Sequence, residues 1–205
     1  MPIKSEREYR TITAPFTVRK ANADEEENYY LVEGYATTFD EPYVMFTDEE
    51  GRNYYEQVSK KAFEGTDMSD VIMQYDHEGM VFARNKNGTL QLDVDDKGLK
   101  VTADLSSTEA SRALHDAIRK GLVDQMSFAF TVSSDDYNRD TRTRTITGIK
   151  KLYDVSAVSI PANPDTYISA RSYFEGVIEA EREEFEKAEA REKQKHRIRI
   201  LTEVL

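Results

Sequence analysis

Apolar positions recur along this chain with two periods, every second residue and every third or fourth. The sharpest two-residue alternation is Asp124-Gln125-Met126-Ser127-Phe128-Ala129-Phe130, which starts just past a helix stop at Lys120-Gly121. Met126, Phe128, Phe130 and Val132 would face one side of a strand, and Ser127, Ala129 and Thr131 the other. A hydroxyl on a small-residue face, backed by a strongly apolar one, is held rigidly and can still be reached. The same serine would also serve as filler in a barrel or sandwich strand.

Elsewhere the pattern predicts mainly strands. Residues 11–18 read as a first strand, with Pro15 marking an edge or bulge. Residues 29–38 read as the next, with a bulge at Gly34, and 54–58 as a short one. Ser59 caps a brief helix over 60–63 that ends at Gly65. Residues 71–75 deliver Asp76-His77-Glu78-Gly79, and 81–84 continue extended. Residues 89–94 and 99–105 form a hairpin about Asp95-Asp96-Lys97-Gly98. Ser106 with Glu109 matches a capping box, and Ala110, Ala113, Leu114, Ala117 and Ile118 form the buried stripe of the helix that follows. After the Ser127 strand come a polar turn at 133–140, an exposed strand at 142–149 and a more apolar, central one at 151–160. The segment Pro161-Ala162-Asn163-Pro164-Asp165-Thr166 ends the sheet.

From there the pattern thins. Phe174, Val177, Ile178 and Phe185 make a narrow apolar stripe, and residues 179–199 carry seven acidic and seven basic side chains. A stripe that narrow would gain little by folding back. The expected fold is α+β but mainly β: a mostly antiparallel, closed or nearly closed β-barrel with flanking helices and a charged C-terminal helix. The expected domains are 1–166 for the barrel and 167–205 for the helical tail.

Composition narrows the chemistry. A formal charge of −11 argues against a nucleic-acid partner, which requires a basic surface. With no Cys, thiol nucleophiles, disulfides and cysteine metal sites are excluded. No apolar run reaches membrane-span length, and Met1-Pro2-Ile3-Lys4-Ser5-Glu6 does not read as a secretory signal, so a cytoplasmic protein is expected.

Three histidines make the search for a base short. His196 lies in the charged tail, and His115 falls beside the helix stripe as a partly exposed structural residue. His77 follows a short apolar strand and is flanked by Asp76 and Glu78, with Gly79 turning the chain away behind it. A serine nucleophile needs a base and a third group that fixes the base's tautomer. Ser127 and His77 fit the first two roles. Asp154 fits the third, because a carboxylate in the apolar strand Leu152-Tyr153-Asp154-Val155-Ser156-Ala157-Val158 needs a partner. Pairing of Asp154 with Lys151 or an arginine is the structural alternative, and Asp76 is a rival orienter. A metal hydrolase built on Asp76, His77 and Glu78 is a weaker reading, since adjacent residues rarely share one ion.

Several stretches taken together resemble the prohead (capsid-maturation) serine proteases of tailed bacteriophages, which are similar in fold to herpesvirus assemblins. They are Asp76-His77-Glu78, Phe82-Ala83-Arg84, Asp95-Asp96-Lys97-Gly98-Leu99, Gly121, Met126-Ser127-Phe128-Ala129-Phe130, Asp154-Val155-Ser156-Ala157-Val158 and Pro161-Ala162-Asn163-Pro164-Asp165-Thr166. Asp76 stands where the family usually has Asn, and Ala83 where it has Gly. The resemblance implies Ser127 as nucleophile and His77 as its base. Asp154, 27 residues after the serine, takes the place of a third member. It also implies oxyanion donors near 159–163, while Arg84 could instead orient the site or a substrate carboxylate. No cofactor and no metal are implied. The implied substrates are the major capsid protein, scaffold segments and the protease itself, cleaved in the host cytoplasm inside the assembling procapsid. A homodimer is a further implication, as is a tail that tethers the chain and is clipped by self-cleavage. No membrane or nucleic-acid partner is expected. A non-catalytic assembly protein that binds scaffold on the same fold is the rival reading.

Overall fold

The computed structural model of the chain describes residues 7–12, 17–18, 30–159 and 164–203. Its strands form two sheets. The larger has seven strands, with β1 (Glu8–Ile12), β10 (Gln125–Asn138), β11 (Thr143–Val158), β5 (Asn53–Val58) and β4 (Tyr43–Thr47) side by side. To it are joined β6 (Ile72–Tyr75), which pairs with β11, and β7 (Glu78–Arg84), which pairs with β6. The smaller sheet runs β2 (Thr17–Val18), β3 (Leu31–Thr38), β9 (Gly98–Asp104), β8 (Leu90–Val94). Val32, Ala36, Val101 and Ala103 of the smaller sheet and Met126, Phe128, Phe130, Leu152 and Val155 of the larger belong to one apolar cluster. The core therefore lies between the two sheets.

The chain is mainly β, as expected, but the expected barrel is not formed. Among the described residues no ladder joins the two sheets, and the larger one is mixed, because β5 and β6 both run parallel to β11. The cause lies in β11. It is 16 residues long, and its outer edge pairs first with β5 over Thr143 to Ile146 and then with β6 at Asp154 and Ala157. A ring requires the last strand to return in register to the first. Here the edge is shared by two short strands, so the sheet forks.

The alternation in β10 holds: Met126, Phe128 and Phe130 are fully buried, and the two phenyl rings stack with centroids 4.5 Å apart. Ser127, Ala129 and Thr131 are buried as well, so both faces of the strand are covered. The polar segment expected to turn at 133–140 instead extends β10 to Asn138, through register shifts between Ala129 and Asp135. The two strands expected at 142–149 and 151–160 are one, and Arg144 within it is buried rather than exposed. The strand expected at 11–18 is two strands in different sheets, with 13–16 outside the described residues. The bulge expected at Gly34 sits between Tyr35 and Thr37.

The helix α1 (Glu109–Arg119) is capped by Thr108, whose hydroxyl accepts the Ser111 N–H at 3.0 Å. Ser106, the expected cap, donates its own N–H to Asp104 Oδ1 at 2.8 Å. The buried face carries Ser111, Leu114, His115 and Ile118, so His115 is buried, edge-on to the Tyr30 ring, rather than partly exposed.

The tail helix α2 (Pro164–Glu203) gains more from its thin stripe than expected. Phe174 is fully buried with Met45 and Tyr54, and Tyr173 and Ile178 pack around them. Nearby, β1 is tied to the body by buried charges. Arg10 pairs with Glu56 and Glu8, and Arg144 reaches Glu8 at 2.9 Å, Glu56 at 3.0 Å and Asp135 at 2.7 Å.

Candidate active site

The site is assembled at the place where β6, β10, β11 and β1 meet. β6 turns into β7 through two residues, Asp76 and His77, because Tyr75 already pairs with Glu78. Both residues are left-handed, with φ of 50° and 61°, which is the two-residue hairpin geometry that matches strand twist. Aspartate and histidine tolerate that conformation better than β-branched residues do. The turn is clamped to the end of β11. Asp76 N–H donates to the Ala157 carbonyl at 2.9 Å. Its carboxylate accepts the Ser159 N–H and the Ser159 hydroxyl, both at 3.0 Å.

Clamped in this way, the turn carries the imidazole over the outer face of β10 and β11. His77 Nδ1 lies 2.6 Å from Asp154 Oδ1, and Nε2 lies 2.7 Å from Ser127 Oγ. Register explains why the acid and the hydroxyl share a face: Ala129 opposes Asp154 and Ser127 opposes Ser156 across the ladder. Residues directly opposite in an antiparallel pair point the same way. The three side chains singled out in the sequence are thus brought together from three elements.

Burial shapes the electrostatics. Ser127 is 1% exposed, Asp154 2%, and the His77 side chain 16%, so solvent meets the group mainly at the imidazole. A carboxylate this buried is stabilised only by donors aimed at it. With Nδ1–H given to Asp154, the free lone pair of Nε2 points at the Ser127 hydroxyl. That is the arrangement by which a hydroxyl loses its proton as it attacks a carbonyl.

Three neighbours were not foreseen as part of the site. The Ser156 hydroxyl donates to Asp154 Oδ1 at 2.7 Å; its position two residues along the same strand was the available signal. The Ser127 hydroxyl lies 2.9 Å from the Arg10 carbonyl of β1, an adjacency that only sheet order reveals. Tyr9 of the same strand sets its ring edge-on to His77, with centroids 4.8 Å apart.

Other candidates lie elsewhere. Asp76 turns to Ser159, not to His77. Arg84 binds Asp70 through two hydrogen bonds of 2.7 and 2.6 Å. Of the segment expected to supply oxyanion donors, 160–163 lie outside the described residues, and the Ser159 N–H is already taken by Asp76. The His196 side chain also lies outside them. Among the described residues no group of three His, Asp or Glu is placed to hold a metal ion, and no helix is long and apolar enough to cross a membrane.

The sequence model of the family described as caudovirus prohead serine protease matches residues 16–179. The prohead protease of Enterobacteria phage HK97 is 29% identical over 148 residues, which cover 72% of this chain and 62% of that protein. The chain thus matches less than two thirds of that relative's length. No solved structure matches it.

Proposed function

The chain belongs to the caudovirus prohead serine proteases, and from that premise we propose that it cleaves peptide bonds with Ser127 as nucleophile, His77 as base and Asp154 as orienter. The observation that carries the assignment is the pair of hydrogen bonds in series, 2.6 Å from Asp154 to His77 and 2.7 Å from His77 to Ser127. His77 takes the hydroxyl proton as Ser127 Oγ bonds to the substrate carbonyl carbon. It returns that proton to the departing amine, leaving an acyl-enzyme. Water, deprotonated by the same imidazole, then releases the acid and restores Ser127. Asp154 holds the ring in the required tautomer and balances its charge once it is protonated.

The substrates in this reading are the major capsid protein, scaffold segments and the chain itself, within a procapsid in the host. Residues 1–166 act as the catalytic unit, and the mixed-charge helix of 167–205 links it to the assembly and is a region of self-cleavage.

Full-length protein and its Ser127→Ala variant, each co-expressed with capsid and scaffold proteins, test this by intact mass over time. Clipping by the parent alone, unaffected by chelator, is the expected result. Clipping by both, or by neither, rejects the assignment of Ser127.

A further inference from the structure

We propose that Ser156 is a positioning residue, which fixes Asp154 and through it the ring of His77. The inference rests on the reading of Ser127, His77 and Asp154 given above. Ser156 is fully buried and stands directly across the ladder from Ser127. Its hydroxyl donates to Asp154 Oδ1, the oxygen that also meets His77 Nδ1. The two contacts are 2.7 and 2.6 Å.

Why a second donor matters follows from the freedom of a carboxylate. The last torsion of an aspartate is broad and nearly two-fold, so a bond to the ring alone leaves the carboxylate plane loosely set. Ser156 stands two residues along on the same face of β11, where its hydroxyl reaches only one rotation of Asp154. It thereby fixes the plane in which the carboxylate meets His77. It also supplies a charge-assisted hydrogen bond to an anion that is 2% exposed. Ser156 is not a second nucleophile, because its hydrogen is committed to Asp154 and the two ring nitrogens of His77 meet Asp154 and Ser127 instead. Two serines facing each other on neighbouring strands thus have opposite tasks: one is activated by the ring, and the other steadies the acid behind it.

The test uses the full chain and a fluorophosphonate probe, which bonds to an activated serine with loss of fluoride, followed by intact mass. Ser156→Ala is expected to slow labelling of Ser127 about tenfold, the worth of a hydrogen bond to a charged group. Ser156→Cys, which keeps the volume and weakens the donor, is expected to fall between serine and alanine. In an Asp154→Ala background the same Ser156→Ala change is expected to alter the rate less than about twofold, because the acceptor of its hydrogen bond is gone. The His77 Nδ1 proton resonance, which needs no turnover, is expected to move in Ser156→Ala and in Ser156→Cys. An unmoved resonance, an unchanged labelling rate, or an equal loss in both backgrounds overturns the proposal. Labelling that persists in Ser127→Ala would reject the catalytic reading instead, so the two failures are told apart.

Discussion

Asp76 and His77 are neighbours in the chain whose side chains go opposite ways: the carboxylate to Ser159 at 3.0 Å, the imidazole to Asp154 and Ser127. The two acids near His77 therefore have separable roles. Asp154→Ala is expected to lower Ser127 labelling about ten-thousandfold, the scale for losing a tautomer-fixing acid. Asp76→Ala is expected to cost about tenfold, through a loosened turn. Asp76→Asn should stay near the parent, since asparagine accepts the left-handed backbone and keeps an acceptor. Equal losses in the two alanine variants would withdraw Asp154 as orienter.

The charge network beneath β1 predicts an acid limb of stability. Burial raises the Glu56 pKa, but Arg10 and Arg144 outweigh it and bring the carboxyl from 4.5 down to about 2. Between those values the unfolded chain binds the extra proton, so stability is full above about 4.5 and falls as pH drops toward 2. Thermal melts from pH 6 to 2.5 should show this slope. Glu56→Gln should flatten it and lower the melting temperature at neutral pH, by leaving Arg10 without its buried partner. An unchanged slope would remove Glu56 from the account.

At Gly98 the smaller sheet has no room for a side chain. A Cβ there would lie 1.9 Å from the Thr37 carbonyl oxygen, which is backbone and cannot swing aside. Gly98→Ala is expected to cost about 1–3 kcal/mol or more, read as a lower denaturation midpoint. A midpoint equal to the parent's would contradict the close approach of β3 and β9.

The tail helix is held at one ring. Phe174→Ala is expected to cost about 3–5 kcal/mol and to lower the melting temperature by roughly 10 °C. Phe185, 71% exposed, is expected to tolerate alanine with almost no change. If both substitutions are silent, α2 is not anchored to β4 and β5 in solution.

What could be read from the sequence is what depends on neighbours in the chain. The alternation about Ser127 marks one strand because the period of two is local. Glycine and capping signals around Lys60–Phe63 are local too, and that short helix forms as expected, with Ser59 accepting the Lys61 N–H. Ser127, His77 and Asp154 could be singled out from a strand alternation, a turn after a short apolar strand and a carboxylate in an apolar strand, and the three side chains do meet. That the expected barrel stays open as two sheets was not legible, because it depends on which strands meet after long excursions. Nor was the burial of Arg10, Glu56 and Arg144. Each looks like a surface residue until a partner 46 or 88 positions away arrives. Helix α1 shows the finer limit: its apolar stripe does not tell that the Tyr30 ring, from a distant part of the chain, also packs on His115.

A hydroxyl has one hydrogen to give, and Ser127 has two claimants, the Arg10 carbonyl at 2.9 Å and the His77 Nε2 at 2.7 Å. When the ring is charged, both ends are content: Nε2–H gives to the serine, and the serine gives to the carbonyl. When the ring is neutral, the serine must turn to it and abandon the carbonyl. On the proposed reading, the state armed for attack is the one in which the serine has let go of the amino-terminal strand, and the resting site carries a built-in tug between its own backbone and its base.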